Sequence, residues 1–284
     1  MGFFNIFKAS DTVYFPGCIT FYKYKENFEL YKRVFSRLGI NIRVLDKKIC
    51  SGVDALEAGY ENEARKLARK NLDLFNENNI KSIITNSPSA YKTFKQDYPE
   101  LLPDWNINII NTWELILDKL EKKPRLIKHR AMEVVTFHDS CYLGRYSGVY
   151  EEPRKILNLM GYEVKEMPNN KERSICCGSC GGLPRLNPEL ANNIAKERIL
   201  EAKRLGVSKI IVTDFQNLEL LKKNVGQFDI QIIELSEVLA IGLGLIISKS
   251  KMSEEEEILL DVKSNMDIED ELKEEDLYEA ISEK

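Results

Sequence analysis

The chain has 284 residues, of which 43% are hydrophobic and 30% charged, a composition typical of a globular protein with an apolar core. Its formal net charge is −4. The sequence contains no basic run with interleaved aromatic residues, so it gives no indication of nucleic-acid binding. Six cysteines without a basic, apolar leader predict a cytoplasmic, reducing location, where clustered thiols bind metal or do redox chemistry more often than they form structural disulfides.

Short β-branched stretches alternate with helical patterns in the first half of the chain, after a short apolar segment at residues 1–10. Apolar residues at helical spacing predict helices over 26–39 and 63–79, and Gly39 is a candidate helix stop. The predicted strands are "TVYF" (12–15), "NIRVL" (41–45), "KSIIT" (81–85) and "INII" (107–110). This alternation predicts βαβ units with a parallel sheet.

The second half repeats this pattern. Its predicted strands are "EVVTF" (133–137), "YEVKEM" (162–167), "KIIVT" (209–213) and "IQII" (230–233). Its predicted helices lie near 152–160, 188–205 and 215–224. Cys18 matches Cys141, Cys50 matches Cys176, and the strands align at offsets of 123 to 128 residues, which indicates an internal repeat.

The repeat predicts an α/β fold of two tandem βα domains with parallel sheets. We place the domains at 11–120 and 133–250, joined by a linker at 121–132. The apolar run 238–248 is too short to span a bilayer, so we predict no membrane span. The acidic tail 251–284 is predicted to be disordered.

Four cysteines of the second half follow strands, so they are expected at the carboxyl edge of its sheet. They are Cys141, Cys176, Cys177 and Cys180. Thiolate sets select zinc, copper(I) or iron–sulfur clusters. Adjacent Cys176 and Cys177 suit a cluster with several metal atoms better than one tetrahedral ion, so we favour an iron–sulfur site. Zinc and free redox thiols remain the alternatives.

Several motifs resemble those of the cysteine-rich CCG-domain family. They are "YFPGC", "CSG…ALEAG", "HDSCYLGRYSGVYEEPRKIL", "EMPNNKERSICCGSCGG" and "IAKERILEAKRLG", spread over residues 11–247. The family includes the cysteine-rich subunit of heterodisulfide reductase and the iron–sulfur subunits of glycolate, lactate and glycerol-3-phosphate dehydrogenases. The resemblance implies electron transfer between a flavoprotein or ferredoxin-type partner and a thiol, disulfide or quinone acceptor.

The chain departs from the family pattern, in which each repeat reads C…CCG…CxxC. In the first repeat only Cys18 and Cys50 remain. They are weak candidates for a vestigial metal site and are otherwise empty remnants or a reversible dithiol. In the second repeat the CxxC is replaced by "TDFQNLE" at 213–219, while Cys180 is extra. If Cys180 replaces a lost ligand, the four thiolates could hold an ordinary cubane 4Fe–4S cluster instead of the five-thiolate cluster of the family. Otherwise Cys180 is incidental and the site has decayed.

We therefore interpret the chain as an iron–sulfur electron-transfer subunit of a flavin- or thiol-linked oxidoreductase. The alternatives are a non-catalytic assembly scaffold that has lost its cluster and a zinc-stabilised binding protein. Two further residues near the cysteines are candidates for a role. We interpret His138 as a structural partner of the strand end, and Arg145 either as a cation beside the site or as an ion-pair partner of Glu151 or Glu152.

Overall fold

The structure is a computed structural model, and it describes residues 11–45 and 49–246. The predicted apolar segment 1–10 and the acidic tail 251–284 lie outside the described residues. Within the described part, no helix combines the length and the apolar character needed to cross a membrane.

The first half forms a parallel sheet of three short strands, and the second half forms one of four. The first sheet has the order β1-β2-β3, and the second has the order β5-β4-β6-β7. Their bounds are β1 Thr12–Phe15, β2 Ser82–Thr85, β3 Asn108–Asn111, β4 Glu133–Phe137, β5 Tyr162–Val164, β6 Lys209–Val212 and β7 Gln231–Glu234. All residues of β1 and β2 are buried, and so are the last three residues of β4 and of β6. Such burial is expected where helices cover both faces of a parallel sheet.

The predicted strand at 41–45 is wrong. Arg43 makes only an isolated bridge to Val13, through backbone hydrogen bonds from Tyr14 to Arg43 and from Arg43 to Thr12. Residues 42–45 are only partly buried, and the Arg43 guanidinium bonds to Asn78 beside the sheet, so the segment leaves the sheet after one pairing. The bridge of Arg43 lies beside β1, the first strand of the first half. In the second half, β5 lies at the corresponding position beside β4.

Helices connect the strands in both halves. Those of the first half are α1 Cys18–Tyr22, α2 Lys25–Leu38, α3 Val53–Glu57, α4 Glu61–Glu77, α5 Pro88–Lys92, α6 Tyr98–Leu101 and α7 Thr112–Lys122. Those of the second half are α8 Glu151–Leu159, α9 Leu183–Leu186, α10 Pro188–Arg204, α11 Phe215–Asn224 and α12 Leu235–Gly242. Helix α2 ends as predicted at Gly39, whose φ of 69° lets its amide bond back to the last turn.

The two halves pack through equivalent helices. Helix α2 contacts α12, and α7 contacts α8, so each half contributes the same pair of elements to the junction. In this junction the Tyr31 hydroxyl donates a 2.7 Å hydrogen bond to the buried carboxylate of Glu234. The predicted fold class is confirmed, with two parallel α/β halves; the exact domain bounds stay predictions.

Candidate metal centre

Cys141 follows strand β4 and lies at the carboxyl edge of the second sheet. The strand is extended by a 2.9 Å backbone bond from His138 to Ile211, and the chain then turns so that Cys141 is buried. The loop carrying Cys176, Cys177 and Cys180 follows β5 and ends at α9, and it returns to the same edge. The position that parallel-sheet topology predicts for the cysteines is therefore the one observed.

The structure brings three sulfurs together. The Sγ atoms of Cys141, Cys176 and Cys180 all lie within 4.8 Å of one another, a spacing at which they could hold a metal. Cys177 is fully buried, and its sulfur lies beside this group in hydrogen-bond contact with Cys176. The four predicted ligands thus form one cluster of thiols, with Cys177 at its inner side.

Each of these four sulfurs has a polar partner. Arg145 Nη2 lies 2.9 Å from the sulfur of Cys141, and the Gly178 amide donates to Cys176 at 3.3 Å. Asn217 Nδ2 donates to Cys177 at 3.3 Å. The Ser179 hydroxyl lies 3.6 Å from the sulfur of Cys180. The three N–H donors, from Arg145, Gly178 and Asn217, stabilise negative charge on sulfur, which is the form in which thiols bind metals.

The thiols share protons unequally. The Cys141, Cys177 and Cys180 thiols donate to Cys176 and hold its pKa far below the ordinary value. In return, the pKa of Cys141 rises to about 11, chiefly because its thiol donates to Cys176. Donation of its thiol to Cys141 and Cys176, and then burial, raise the pKa of Cys180. Cys176 is therefore the first thiolate of the group, and a bound cation would draw the remaining protons off.

Gly178 fixes the bend of the cysteine loop. Its φ is +89°, and a Cβ at this position would lie 2.7 Å from the carbonyl oxygen of Ala191 in α10. In the first half, Gly52 has a φ of +78° and its amide lies 3.4 Å from the sulfur of Cys50, as the Gly178 amide lies beside Cys176. Both halves therefore use one loop geometry.

A buried arginine anchors the segment that leads to Cys141. Arg154 in α8 donates to both carboxylate oxygens of Asp139, at 2.7 and 2.9 Å, and to both oxygens of Glu166. Asp139 also accepts the backbone amide of Lys171 at 2.8 Å, which links the strand end to the loop before Cys176. The pairing is bidentate, so it fixes orientation as well as charge.

A second buried arginine also connects the segment before Cys141 with the segment before Cys176. Arg198 in α10 donates to Nδ1 of His138 at 3.1 Å, to Glu201 at 2.6 Å and to the hydroxyl of Ser174. Burial and the Arg198 cation lower the pKa of His138 to about 3, so its ring stays neutral. The structural interpretation of His138 fits this arrangement.

Arg145 lies against sulfur and not against the acidic residues of α8. Its Nη1 donates to the carbonyl of Ser174 while Nη2 faces Cys141, so it bridges the two cysteine-bearing segments. Of the two interpretations of Arg145, the cation beside the site is the one that these contacts favour.

The stretch that replaces the family CxxC contributes polar groups to the site. Asp214 caps α11 through a 2.8 Å bond from Gln216, and the Ser140 hydroxyl donates to it. Asn217 donates to Ser179 at 2.7 Å as well as to Cys177. Burial raises the pKa of Asp214. Sequence reasoning missed Arg154, Arg198 and Asn217, because nothing in a single sequence marks which polar residues of a helix face inward.

The first half keeps only a pair of thiols. Cys18 and Cys50 are both exposed, and the Cys18 thiol donates to the sulfur of Cys50. This donation lowers the pKa of Cys50 to about 6 and raises that of Cys18. Among the described residues, no third cysteine, histidine or carboxylate lies close enough to complete a metal group around this pair.

The regions around Cys50 and Cys180 approach each other. The carboxylate of Glu57, in the helix that follows Cys50, faces the backbone amide of Gly181, the residue after Cys180. Burial raises the pKa of Glu57, while the amide opposes that effect. The edge that carries Cys50 and the edge that carries Cys180 therefore meet at the junction of the halves.

The chain is similar to a known domain family and to several known proteins. The model of the CCG cysteine-rich domain matches residues 12–95 and 135–216, one match in each half. The probable iron-sulfur-binding oxidoreductase FadF of Bacillus subtilis is 33% identical over 182 residues, which cover 63% of this chain and 26% of FadF. The EtfAB:quinone oxidoreductase of Syntrophomonas wolfei is 32% identical over 202 residues, 69% of this chain and 28% of that protein.

A third relative comes from an archaeon. One subunit of the dihydromethanophenazine:CoB–CoM heterodisulfide reductase of Methanosarcina mazei is 29% identical over 199 residues, 68% of this chain and 49% of that subunit. The chain thus spans between about a quarter and a half of the length of these relatives. Among solved structures, the aspartate racemase of Picrophilus torridus aligns with 82% of this chain and 92% of its own, at 15% identity and a TM-score of 0.38.

Proposed function

The chain belongs to the cysteine-rich CCG-domain family, and we propose that it is an iron–sulfur electron-transfer protein with one 4Fe–4S cluster in its second half. Cys141, Cys176, Cys177 and Cys180 are the proposed ligands. The protein would act as a heterodisulfide-reductase-like subunit of a flavin- or thiol-linked oxidoreductase.

The observation that carries the proposal is the convergence of four thiols, each with a polar partner, at one sheet edge. Three sulfurs lie within 4.8 Å of one another, and N–H groups of Arg145, Gly178 and Asn217 point at sulfurs of the site. Soft thiolate sets with hydrogen bonds to sulfur fit an iron–sulfur cluster, and such bonds are a means of setting its potential.

The residues around the thiols have positioning roles in this proposal. The bound cluster would accept and release single electrons. Arg154 and Arg198 hold the Cys141 segment against the loop of Cys176, and Gly178 lets that loop pass close to α10. Arg145 keeps a positive charge beside the sulfur of Cys141, where added negative charge on the site would be stabilised.

The proposed partners are a flavoprotein or a ferredoxin-type redox subunit, with a thiol, disulfide or quinone as the acceptor. The relatives support this range, since they include a quinone oxidoreductase and a subunit of a heterodisulfide reductase.

Anaerobic purification with iron, sulfide and zinc analysis tests the proposal. We expect about four irons and four sulfides per chain and an electron paramagnetic resonance signal on reduction. The Cys176→Ser variant should lose them, while Cys18→Ser should keep them. One zinc without visible absorption, or a folded protein without metal, would overturn the proposal.

Cys180 has its own test because the proposal makes it the replacement for the lost CxxC. Replacing it with the family residue, in Cys180→Gly, should abolish or strongly reduce the iron content of the protein. Full iron and an unchanged spectrum in this variant would remove Cys180 from the ligand set.

A zinc-stabilised protein is the second candidate, and one observation favours it. Sulfurs within 4.8 Å of one another also suit a single tetrahedral ion, in which each Zn–S bond is about 2.3 Å long. The position of Cys177, to one side of the group of three, is compatible with three thiolates and a fourth ligand from solvent. The metal analysis above separates the two candidates.

A further inference from the structure

Cys18 and Cys50 form a pair of touching thiols that the proposed function does not use. Cys18 begins α1, three positions after the end of β1, and Cys50 lies two residues before Gly52, the N-cap of α3. The fold thus brings together two residues that are 32 positions apart in the chain. The Cys18 sulfur also faces the carbonyl of Ile49, the residue before Cys50, at 3.9 Å. Both thiols are exposed, so a reagent in solution reaches them.

The two thiols are not equivalent. The sulfur of Cys50 accepts hydrogen bonds from the Cys18 thiol and, at 3.4 Å, from the amide of Gly52. Both donors stabilise a thiolate on Cys50, and the thiolate is the attacking form in disulfide exchange. Cys18 holds the shared proton and lies in contact with Cys50, which is the arrangement that a resolving thiol requires.

An apolar pocket opens beside the pair. Its wall includes Cys18, Phe21, Tyr22, Leu45 and Ile49, which are apolar or aromatic apart from the thiol itself. Phe21 and Tyr22 are partly exposed, at 37% and 49% of their surface, so the pocket is open to solvent. Cys18 lines the pocket and Cys50 does not, so an apolar substituent of a small molecule bound there would lie beside Cys18 while its sulfur reaches the neighbouring Cys50.

We infer that Cys18 and Cys50 form a redox-active dithiol that exchanges with low-molecular-weight disulfides bearing apolar substituents. The Cys50 thiolate bonds to one sulfur of the substrate, the substrate S–S bond breaks, and one thiolate leaves. The Cys18 sulfur then bonds to the Cys50 sulfur, breaks the mixed disulfide and releases the second thiolate. The pair loses two electrons and two protons, and the substrate gains them as two thiols.

The first half also lacks the further cysteines of the family pattern. Where the family pattern has further cysteines, the first half has Ser87 and Ser89, whose hydroxyls lie 3.3 Å from each other. Within the described part of the chain, no third cysteine, histidine or carboxylate has a ligand atom within 4.8 Å of both the Cys18 and the Cys50 sulfur. Two thiols without further ligands suit a two-electron dithiol better than a metal centre.

The test uses the full chain, purified without oxygen, and dipyridyl disulfide as the probe. In the wild type, peptide mapping should find a Cys18–Cys50 disulfide and no probe attached to either residue. Cys18→Ser should accumulate the mixed disulfide on Cys50. Cys50→Ser should react at Cys18 at least about tenfold more slowly than Cys18→Ser reacts at Cys50, because the Gly52 amide, which donates to Cys50 at 3.4 Å, stabilises a thiolate on Cys50 in the Cys18→Ser variant.

Equal rates in the two single variants, or separate mixed disulfides on Cys18 and Cys50 in the wild type, would overturn the inference. Dithiodinicotinic acid, the carboxylated analogue of the probe, should react more slowly with the pair, and a faster reaction would refute the apolar preference. Circular dichroism shows that the variants fold. Their iron content should match that of the wild type, so a failure here is distinct from a failure of the proposed cluster.

Discussion

Arg145 illustrates how one side chain acts on the site at the residue scale. Its guanidinium lies 2.9 Å from the sulfur of Cys141 and also holds the carbonyl of Ser174. A cation that donates to a ligand sulfur stabilises the more negative, reduced state of a bound cluster. The effect on the potential is the difference between the free energies of this bond in the reduced and oxidised states, and a difference of about 1.5 kcal/mol corresponds to about 60 mV for a one-electron couple.

We therefore expect Arg145→Gln to make the reduction potential of the loaded protein more negative by about 60 mV. A redox titration followed by electron paramagnetic resonance measures the shift. Arg145→Lys retains the charge and should shift the potential less. Equal potentials in all three proteins would show that the guanidinium only holds the loop.

At the scale of single elements, the cysteine loop depends on Gly178. A residue with a Cβ would need a φ of +89° and would meet the backbone oxygen of Ala191 at 2.7 Å. Gly52 shares the positive φ, but its nearest neighbour is the flexible side chain of Leu67, at 3.4 Å. The left-handed backbone costs about 1–2 kcal/mol in either case, and the steric clash adds to it only at Gly178.

Gly178→Ala should therefore lower the free energy of unfolding by about 2–4 kcal/mol, and Gly52→Ala by about 1 kcal/mol. Urea denaturation compares the two variants, and iron analysis shows whether the loop still binds metal. Equal losses of stability would mean that α10 moves aside at no cost, contrary to the close packing of Gly178 on Ala191.

The segment before Cys141 depends on the ion pairs of Arg154. The side chains of Arg154 and Asp139 are only 6% and 2% exposed, so removal of the arginine leaves a buried carboxylate without its partner. Arg69 makes a pair of similar geometry with Asp104, but these side chains are 45% and 58% exposed. A comparison of the two arginines separates the effect of burial from that of pairing.

Arg154→Met should reduce the free energy of unfolding by about 3–5 kcal/mol, because it leaves an uncompensated buried charge. Arg69→Met should cost no more than about 1 kcal/mol, as is usual for exposed pairs. Thermal or urea unfolding measures both. A small effect of Arg154→Met would indicate that Asp139 takes up a proton or reaches solvent in the variant.

Strands and helices could be predicted because their apolar patterns are local. The stretch 133–137 coincides with β4, and 215–224 coincides with α11. The segment 41–45 has the composition of a strand but makes one bridge, because pairing depends on whether a neighbour runs beside it, and composition does not encode that. The contacts of Arg154, Arg198 and Asn217 with the cysteine segments join distant parts of the chain, so they could not be derived from local sequence.

At the scale of the whole molecule, the two halves have kept their architecture and changed their side chains. Asn111 and Glu234 occupy equivalent ends of β3 and β7, and each caps the following helix with a 2.9 Å bond from the amide two residues on. Asn111 does so without charge. Glu234 is a fully buried carboxyl at the junction, where Tyr31 of the first half donates to it.

Burial raises the pKa of Glu234 to about 7, although hydrogen bonds from Ser236 and Tyr31 oppose the shift, and Glu237 adds to it. A carboxyl with a raised pKa in the folded state favours folding most when it is protonated. Its contribution is complete below the unfolded pKa of about 4.5 and is lost as the pH rises through about 7.

The free energy of unfolding of the wild type should therefore fall relative to that of Glu234→Gln between about pH 4.5 and pH 7, by about 3 kcal/mol in total. Urea denaturation of both proteins at several pH values measures this difference, in which other titrating groups cancel. Tyr31→Phe removes a hydrogen bond that stabilises the carboxylate, so its stability should fall over a wider pH range than that of the wild type. Parallel profiles for wild type and Glu234→Gln would show that the junction leaves this carboxyl hydrated, and the buried contact between the halves would then be open in solution.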